Sequence, residues 1–345
     1  MDVTILICTH NSAGLIGRTL RHLKSQKVSP SVEWEILIVD FQSTDETVKT
    51  CRDEWQNHPI ELRVIQEKRP GKSPALETGL AEARGEAVCI IDDDNWVDPG
   101  YVQSAHLVIA AHPDVGAIGA QGRPRFEVPP PPWFHVYSGV YAVGHQAEKA
   151  GYVEPGTRMW FWGAGTVVRN SAWRAVRRTG FSLVLNPSRQ GGARVFKRGF
   201  AGGEDQEMCF ALQLAGYKLW YEPNLIFEHY LAKERLTTSY LFKTTLGTAR
   251  AIPVLKLYLS ALPCATLTQR VKSIVYRSLV LMLLQEACGV VAGAIRTTKS
   301  PFKVIEMTRV FLRFRGSVDG LLNVAGRSRS IFVQIDKVRR LASSS

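Results

Sequence analysis

Glu86-Ala87-Val88-Cys89-Ile90-Ile91 runs without a break into Asp92-Asp93-Asp94-Asn95. The first stretch is almost continuously apolar, the pattern of a strand covered on both faces. The second puts a knot of carboxylates where that strand leaves the core. In an open α/β sheet the carboxyl ends of the strands are where ligands bind. Carboxylates packed this closely oppose one another's ionisation, so the cluster is costly unless a cation neutralises it. A hard divalent ion, held by one or two carboxylates and by substrate phosphates, is the usual solution. Helix capping accounts for less of the cluster, because Asp98 alone could cap a helix starting near Pro99.

On the N-terminal side, Val3-Thr4-Ile5-Leu6-Ile7-Cys8 reads as another buried strand. Polar Thr9-His10-Asn11-Ser12 follows, then a helix with Leu15, Ile16, Leu20 and Leu23 on one face. Trp34 to Val39 is a second strand that ends at Asp40, and Ser43-Thr44-Asp45-Glu46 has the form of a capping box. Leu62 to Ile65 is a third strand, followed by the basic loop Lys68-Arg69-Pro70-Gly71-Lys72-Ser73-Pro74 and a helix over 75–83. This alternation predicts a doubly wound, mostly parallel α/β sheet.

On the C-terminal side the spacing predicts a helix over 99–111 and a strand over 115–120. Residues 121–162 hold four consecutive prolines, 129–132, among many aromatics. Such an insertion either covers the sheet or builds a stacking pocket for an acceptor. Strand character resumes over 163–169, a helix follows from Ser171, and the Gly- and Arg-rich stretch 186–203 reads as a mobile loop. Gly202-Gly203-Glu204-Asp205 opens a helix that Gly216 stops; 218–221 and 225–229 read as strands ending at His229.

Charge divides the chain of 345 residues. Residues 1–229 carry a net −2 and residues 230–345 a net +14, so the whole basic excess lies in the last third. That asymmetry points to an attached element with an anionic partner. Within it, 278–295 is mostly apolar but contains Gln285 and Glu286, which favours an interfacial or intraprotein helix over a membrane span. None of the six cysteines forms a C-x-x-C pair, the usage of a reducing compartment with no disulfide framework or zinc site. Asp2 stands where a secretory leader has basic residues, so no leader is expected.

These segments together resemble a family-2 glycosyltransferase of the GT-A fold. Thr4 to Asn11 resembles the family's opening strand and nucleotide loop, and Ile38-Val39-Asp40 with Ser43-Thr44-Asp45 its second signature. Gly85-Glu86 leading to Asp92-Asp93-Asp94 resembles its D-x-D motif, Gly203-Glu204-Asp205 its E-D motif, and His229 the histidine that often follows. The resemblance covers 1–235 and leaves 236–345 as a basic, mainly helical extension. It implies a nucleotide-sugar donor, most often UDP-linked, a Mg²⁺ or Mn²⁺ ion, and inverting single displacement. Asp40 would bond the base and Thr9 line its pocket, Asp92 would hold the ribose, Asp94 the metal with His229 as a further ligand, and Asp205 would be the base beside Glu204. Asn11, Lys72 and Asp93 complete the expected donor-binding set. The position of Asp205 at a helix start favours its ionised form.

One departure is informative. Processive synthases of the family carry Q-x-x-R-W after the E-D motif and several transmembrane helices. This chain has Lys233-Glu234-Arg235 at the comparable place, so transfer of one sugar is expected, to a glycan or lipid-linked acceptor, with a polyprenyl phosphate as the alternative. The basic extension implies peripheral attachment to an anionic membrane on its cytoplasmic face. A dinucleotide-dependent oxidoreductase is disfavoured because G-x-G-x-x-G does not follow the first strand. A sugar nucleotidylyltransferase is disfavoured because the Gly/Arg-rich first loop usual in such enzymes is absent here. A non-enzymatic membrane- or nucleic-acid-binding protein with a degenerate transferase domain is disfavoured by the intact acidic motifs, and no nucleic-acid partner is expected.

Overall fold

The computed structural model describes residues 1–153, 160–185, 202–263, 278–297, 300–325 and 327–344. Strand β1 (Val3–Thr9) lies between β2 (Trp34–Asp40) and β4 (Ala87–Ile91), and β3 (Leu62–Gln66) adds outside β2, all parallel. Every residue of β1 and β2 is buried, because helices cover both faces. Beyond β4 the sheet becomes mixed. Strand β8 (Thr166–Arg169) runs antiparallel between β4 and β6 (Val115–Phe126), and β6 pairs in parallel with β9 (Lys218–Leu231). The short strands β5 (Asn95–Val97) and β7 (Gly151–Tyr152) pair antiparallel with β9. The order β3-β2-β1-β4-β8-β6-β9-β5 reverses direction of winding between β1 and β4, the switch point where an α/β sheet opens a crevice.

Helices α1 (Ala13–Lys24), α2 (Thr47–Trp55) and α4 (Tyr101–Ala111) pack on one face. Helices α3 (Lys72–Glu82), α6 (Asn170–Arg178) and α7 (Glu204–Leu214) cover the other, with α8 (Thr238–Ala261) behind them. Ala251, Val254, Leu257 and Tyr258 of α8 belong to the same core as Leu6 and Leu37 of the sheet. The basic extension is therefore built onto the α/β sheet. Helices α9 (Leu279–Thr297), α10 (Lys303–Val324) and α11 (Ser328–Ser344) follow.

Several expectations shift. The capping box does not form: Ser43 Oγ accepts the Asn11 N–H at 2.9 Å, and Asp45 Oδ1 instead accepts the Thr47 N–H at 3.0 Å. Strand β6 runs on to Phe126 and takes the first part of the aromatic insertion into the sheet. The two short C-terminal strands are one, β9, and α3 begins at Lys72, inside the expected basic loop. The described part of the insertion divides between packing and a cavity wall. Helix α5 (Phe134–Tyr137) and Tyr141 pack in a cluster with Leu236 and Leu241, whereas Trp160 and Trp162 line a cavity. Most of the stretch expected to be a mobile loop, 186–201, lies outside the described residues.

The polar pair in the apolar run of α9 has a partner. Lys256 of α8 is buried and donates to Gln285 Oε1 at 2.8 Å and Glu286 Oε1 at 2.5 Å. A buried ammonium needs such partners, so this helix carries them on the side that meets α8. Among the described residues no helix is long and apolar enough to cross a membrane.

Candidate active site

Parallel register carries Thr9, Asp40 and Asp92 to one edge of the sheet, since Thr9 pairs with Asp40 and Ile7 with Ile91. There the three aspartates divide. Asp92 forms a close ion pair with Lys72 at the start of α3. Burial alone would lower the Lys72 pKa, but Asp92 more than reverses this and raises it. Asp93 turns inward, where its Oδ2 accepts from Thr9 Oγ1 at 2.7 Å and its carbonyl accepts from Thr19 Oγ1 at 2.7 Å. Burial, with Asp94 alongside, pushes the Asp93 carboxyl up to about 6.

Asp94 meets residues brought by β9. The antiparallel register sets His229 opposite Asn95, and so beside Asp94. The His229 Nε2 lies 3.6 Å from Asp94 Oδ2, and Arg235 lies against both: Nη2 is 2.7 Å from Asp94 Oδ2 and Nη1 2.8 Å from His229 Nε2. On its other side His229 Nδ1 is 2.7 Å from the Tyr141 carbonyl oxygen. An arginine only donates, so Nδ1 carries the ring proton and Nε2 offers its lone pair. Burial opposes ionisation of Asp94, yet the positive charge facing it, with the Arg235 guanidinium in direct contact, holds its pKa well below the usual carboxylate range.

A carboxylate oxygen and an imidazole lone pair thus converge on one cation, here the chain's own guanidinium. Both are suitable ligands for Mg²⁺ or Mn²⁺. Among the described residues no three His, Cys, Asp or Glu side chains converge to hold a metal. Two protein ligands still fit an ion whose remaining positions go to water and substrate phosphates.

The E-D pair approaches from the other side. Gly203 precedes α7 with φ of 119°, and a Cβ there would lie 3.1 Å from both Ala251 and Leu185, so this turn requires glycine. Asp205 Oδ2 accepts the Gly163 N–H at 2.8 Å and Oδ1 the Gln206 N–H at 2.9 Å. Burial and the neighbouring Glu204 push its carboxyl up to about 7, against those hydrogen bonds. The helix start does not prevail here, because desolvation of a buried carboxylate exceeds the help of a first-turn dipole. Lys72, Asp92, Glu204, Asp205 and His229 all line one cavity of about 530 Å³.

The remaining donor-side residues lie around this edge. Asp40 is buried, and its Oδ1 meets no hydrogen-bond partner among the described residues. Such an acceptor is expected to have a donor when the site is filled. The hydroxyl of Thr9 is spent on Asp93. Asn11, with φ of 51°, ties the first loop to the second through its Oδ1, which accepts the Thr44 N–H at 2.8 Å. Sequence reading gave Arg235 no role, although it follows His229 by only six residues. It also missed Arg309 and Arg313 of α10, which line the far side of the cavity.

Comparison with known proteins identifies the family and the fold. The sequence profile of glycosyl transferase family 2 matches residues 4–199. A dodecaprenyl-phosphate galacturonate synthase from Rhizobium johnstonii is 26% identical over 105 residues, 30% of this chain and 31% of that protein. The poly(ribitol-phosphate) beta-N-acetylglucosaminyltransferase TarS of Staphylococcus aureus is 25% identical over 112 residues, 32% of this chain and 19% of TarS. The matches thus span less than a third of either relative. In structure, residues 1–349 of TarS with UDP-GlcNAc superpose at a TM-score of 0.57 with 16% identity, covering 100% of this chain and 91% of that one. The mannosyltransferase PcManGT of Pyrobaculum calidifontis, with GDP-Man and Mn²⁺, gives 0.55 with 20% identity over 93% of this chain and 87% of its own. At these identities the structural likeness establishes the fold alone.

Proposed function

Because the chain belongs to glycosyl transferase family 2, we propose that it moves one sugar from a nucleotide-sugar donor, UDP-linked, to an acceptor hydroxyl with inversion. The observation that carries this reading is the single cavity shared by the Asp92–Lys72 pair and Asp205. At one end lie a cation and a carboxylate for the donor's phosphates and ribose. At the other lies a carboxyl whose pKa of about 7 suits a general base at neutral pH.

In the transfer, Asp205 takes the proton of the attacking hydroxyl as the acceptor oxygen bonds to the anomeric carbon. The bond from that carbon to the phosphate oxygen breaks, and the nucleoside diphosphate leaves with its electron pair. Lys72 stands beside the position of developing negative charge. Asp94 and His229 would hold Mg²⁺ or Mn²⁺, which supplies further positive charge to the leaving diphosphate when bound. Asp40, with its unmatched Oδ1, would accept from the base. The sequence contains no Q-x-x-R-W, which supports single transfer rather than polymerisation.

The C-terminal helices supply the attachment. Val280, Leu284, Val291 and Ile295 of α9 are exposed, with Val304 and Phe311 of α10, inside a region of net charge +14. An apolar helix face in a basic stretch of the chain suits the surface of an anionic bilayer, and we assign the enzyme to the cytoplasmic face of the cell membrane. A donor screen tests the transferase reading: UDP-, GDP- and other nucleotide-sugars are incubated with Mg²⁺ or Mn²⁺ and released nucleotide is measured. Release from a UDP-sugar is expected, and no release from any donor would sink the proposal.

A further inference from the structure

The cavity that holds Asp205 is closed on its far side by α10, and Arg309 and Arg313 point the same way because they are four residues apart. Arg309 is partly buried. Its guanidinium stacks over the Tyr137 ring at 4.1 Å, and its Nε donates to Thr245 Oγ1 at 3.3 Å. Burial depresses the Arg309 pKa, the mark of a cation short of compensating charge. The charge of Glu306 on the same helix offsets this only in part. Among the described residues Glu286 is paired with Lys256, and Glu306 makes no ion pair with either arginine. Among the described residues the two guanidiniums face one cavity and make no ion pair with its carboxylates, which leaves them free to meet an anion, and their planar forks match phosphate geometry.

The same arginines also border a second cavity of about 380 Å³ between α9 and α10, where Glu286, Thr297 and Glu306 make a polar wall and Val290, Val310 and Phe314 an apolar one. This wall adjoins the exposed face of Val291 and Ile295. Resting on the transferase reading above, we propose that the acceptor carries a phosphate, held by Arg309 and Arg313, with its reacting hydroxyl directed toward Asp205. The phosphate could belong to a lipid, whose chain would follow the apolar wall, or to a water-soluble phosphate ester.

Calorimetry on the full-length protein separates these. The probes are farnesyl phosphate in dodecyl maltoside micelles, farnesol in the same micelles, and glycerol 3-phosphate in solution. Farnesyl phosphate is expected to bind, and Arg309→Gln and Arg313→Gln each to weaken it about tenfold or more, the scale of a hydrogen bond to a charged group. Arg313→Lys should bind more tightly than Arg313→Gln and more weakly than wild type, because it keeps the charge but loses the planar fork. Glycerol 3-phosphate binding as tightly, with the same arginine dependence, supports the site and assigns the soluble ester; binding of farnesyl phosphate alone supports it and assigns the lipid. Affinities unchanged in both Gln variants, equal binding of farnesol, or no binding of either phosphate overturns the inference. UDP titrated into the same samples isolates the two claims. A wild-type protein that fails to bind UDP counts against the transferase reading, whereas UDP binding with arginine-independent phosphate affinity rejects only the phosphate site. Arg313 is exposed, so its variants keep the test valid if Arg309→Gln folds poorly.

Discussion

At the residue scale the chemistry turns on where one proton sits. Asp205 is held protonated up to about 7 by burial and by Glu204, so the fraction able to accept a proton grows as pH rises through that value. Turnover at saturating donor should therefore climb through about pH 7 and level off above it. Asp205→Asn should lower turnover by about 10²–10⁴-fold, the usual contribution of a general base, while the UDP affinity stays within a few-fold of wild type. Wild-type turnover in that variant would remove Asp205 from the role. A second residue-scale prediction concerns the cation at Asp94. Arg235 lies where a divalent ion would meet Asp94 and His229, so the two compete. Mn²⁺ titrated into the protein without nucleotide and followed by electron paramagnetic resonance should bind Arg235→Gln more tightly than wild type. It should bind Asp94→Ala not at all, and His229→Ala more weakly than wild type. Equal affinity for wild type and Arg235→Gln would mean that the guanidinium leaves at no cost.

At the scale of elements, Glu207 is the joint between α7 and α8. It is fully buried and accepts from Tyr258 at 2.6 Å, from the Val184 N–H at 2.9 Å and from the Leu185 N–H at 2.8 Å. Burial still pushes its carboxyl up to about 7 from an ordinary value of 4.5. Between these two values the folded protein keeps a proton that the unfolded chain has released. Its stabilising effect is thus complete below about pH 4.5 and is lost as pH rises through about 7, by up to about 1.4 kcal/mol per pH unit. Asp205 acts in the same direction. Thermal midpoints should fall between pH 5 and pH 8 in metal-free buffer, and Glu207→Gln should flatten that slope. A second joint is the contact of α8 with α10. A Cβ at Gly320 would lie 2.4 Å from the Arg250 carbonyl oxygen, which backbone cannot easily concede. Gly320→Ala should cost about 1–3 kcal/mol through overpacking, read from urea denaturation, despite the better helix propensity of alanine.

At the scale of the whole molecule, charge and apolar surface coincide. The exposed Val291 and Ile295 belong to the stretch 230–345, which carries +14, whereas residues 1–229 carry −2. Flotation with liposomes of phosphatidylglycerol and of phosphatidylcholine, at low and high salt, should show binding to the anionic vesicles that salt weakens. The double substitution Val291→Glu with Ile295→Glu should abolish it without changing the circular dichroism spectrum, since both side chains are exposed. Recovery of wild type in the unbound fraction under every condition would remove the membrane assignment. Truncation after β9 is the poorer experiment, because Val254, Leu257 and Tyr258 of α8 complete the core beneath the sheet.

The strands β1 to β4, the helices between them and the acidic strand end could all be read from the sequence alone. Each rests on interactions within a few residues, which leave a period or a cluster in the chain. The same locality misled at Ser43, whose hydroxyl is claimed by Asn11 across a loop, and at Asp205, where burial outweighs the helix start. Tertiary structure decided what depends on distant partners. Only the antiparallel register of β5 with β9 brings His229 beside Asp94. The fold of the chain beyond β9 then sets Arg235 between them, and only the packing of α8 against α9 gives Gln285 and Glu286 the buried Lys256. Arg309 and Arg313 reach the cavity of Asp205 from a helix far along the chain. A charged side chain carries no mark of its eventual partner in its own neighbourhood, because the energy of that meeting depends on distance and burial, which exist only after folding.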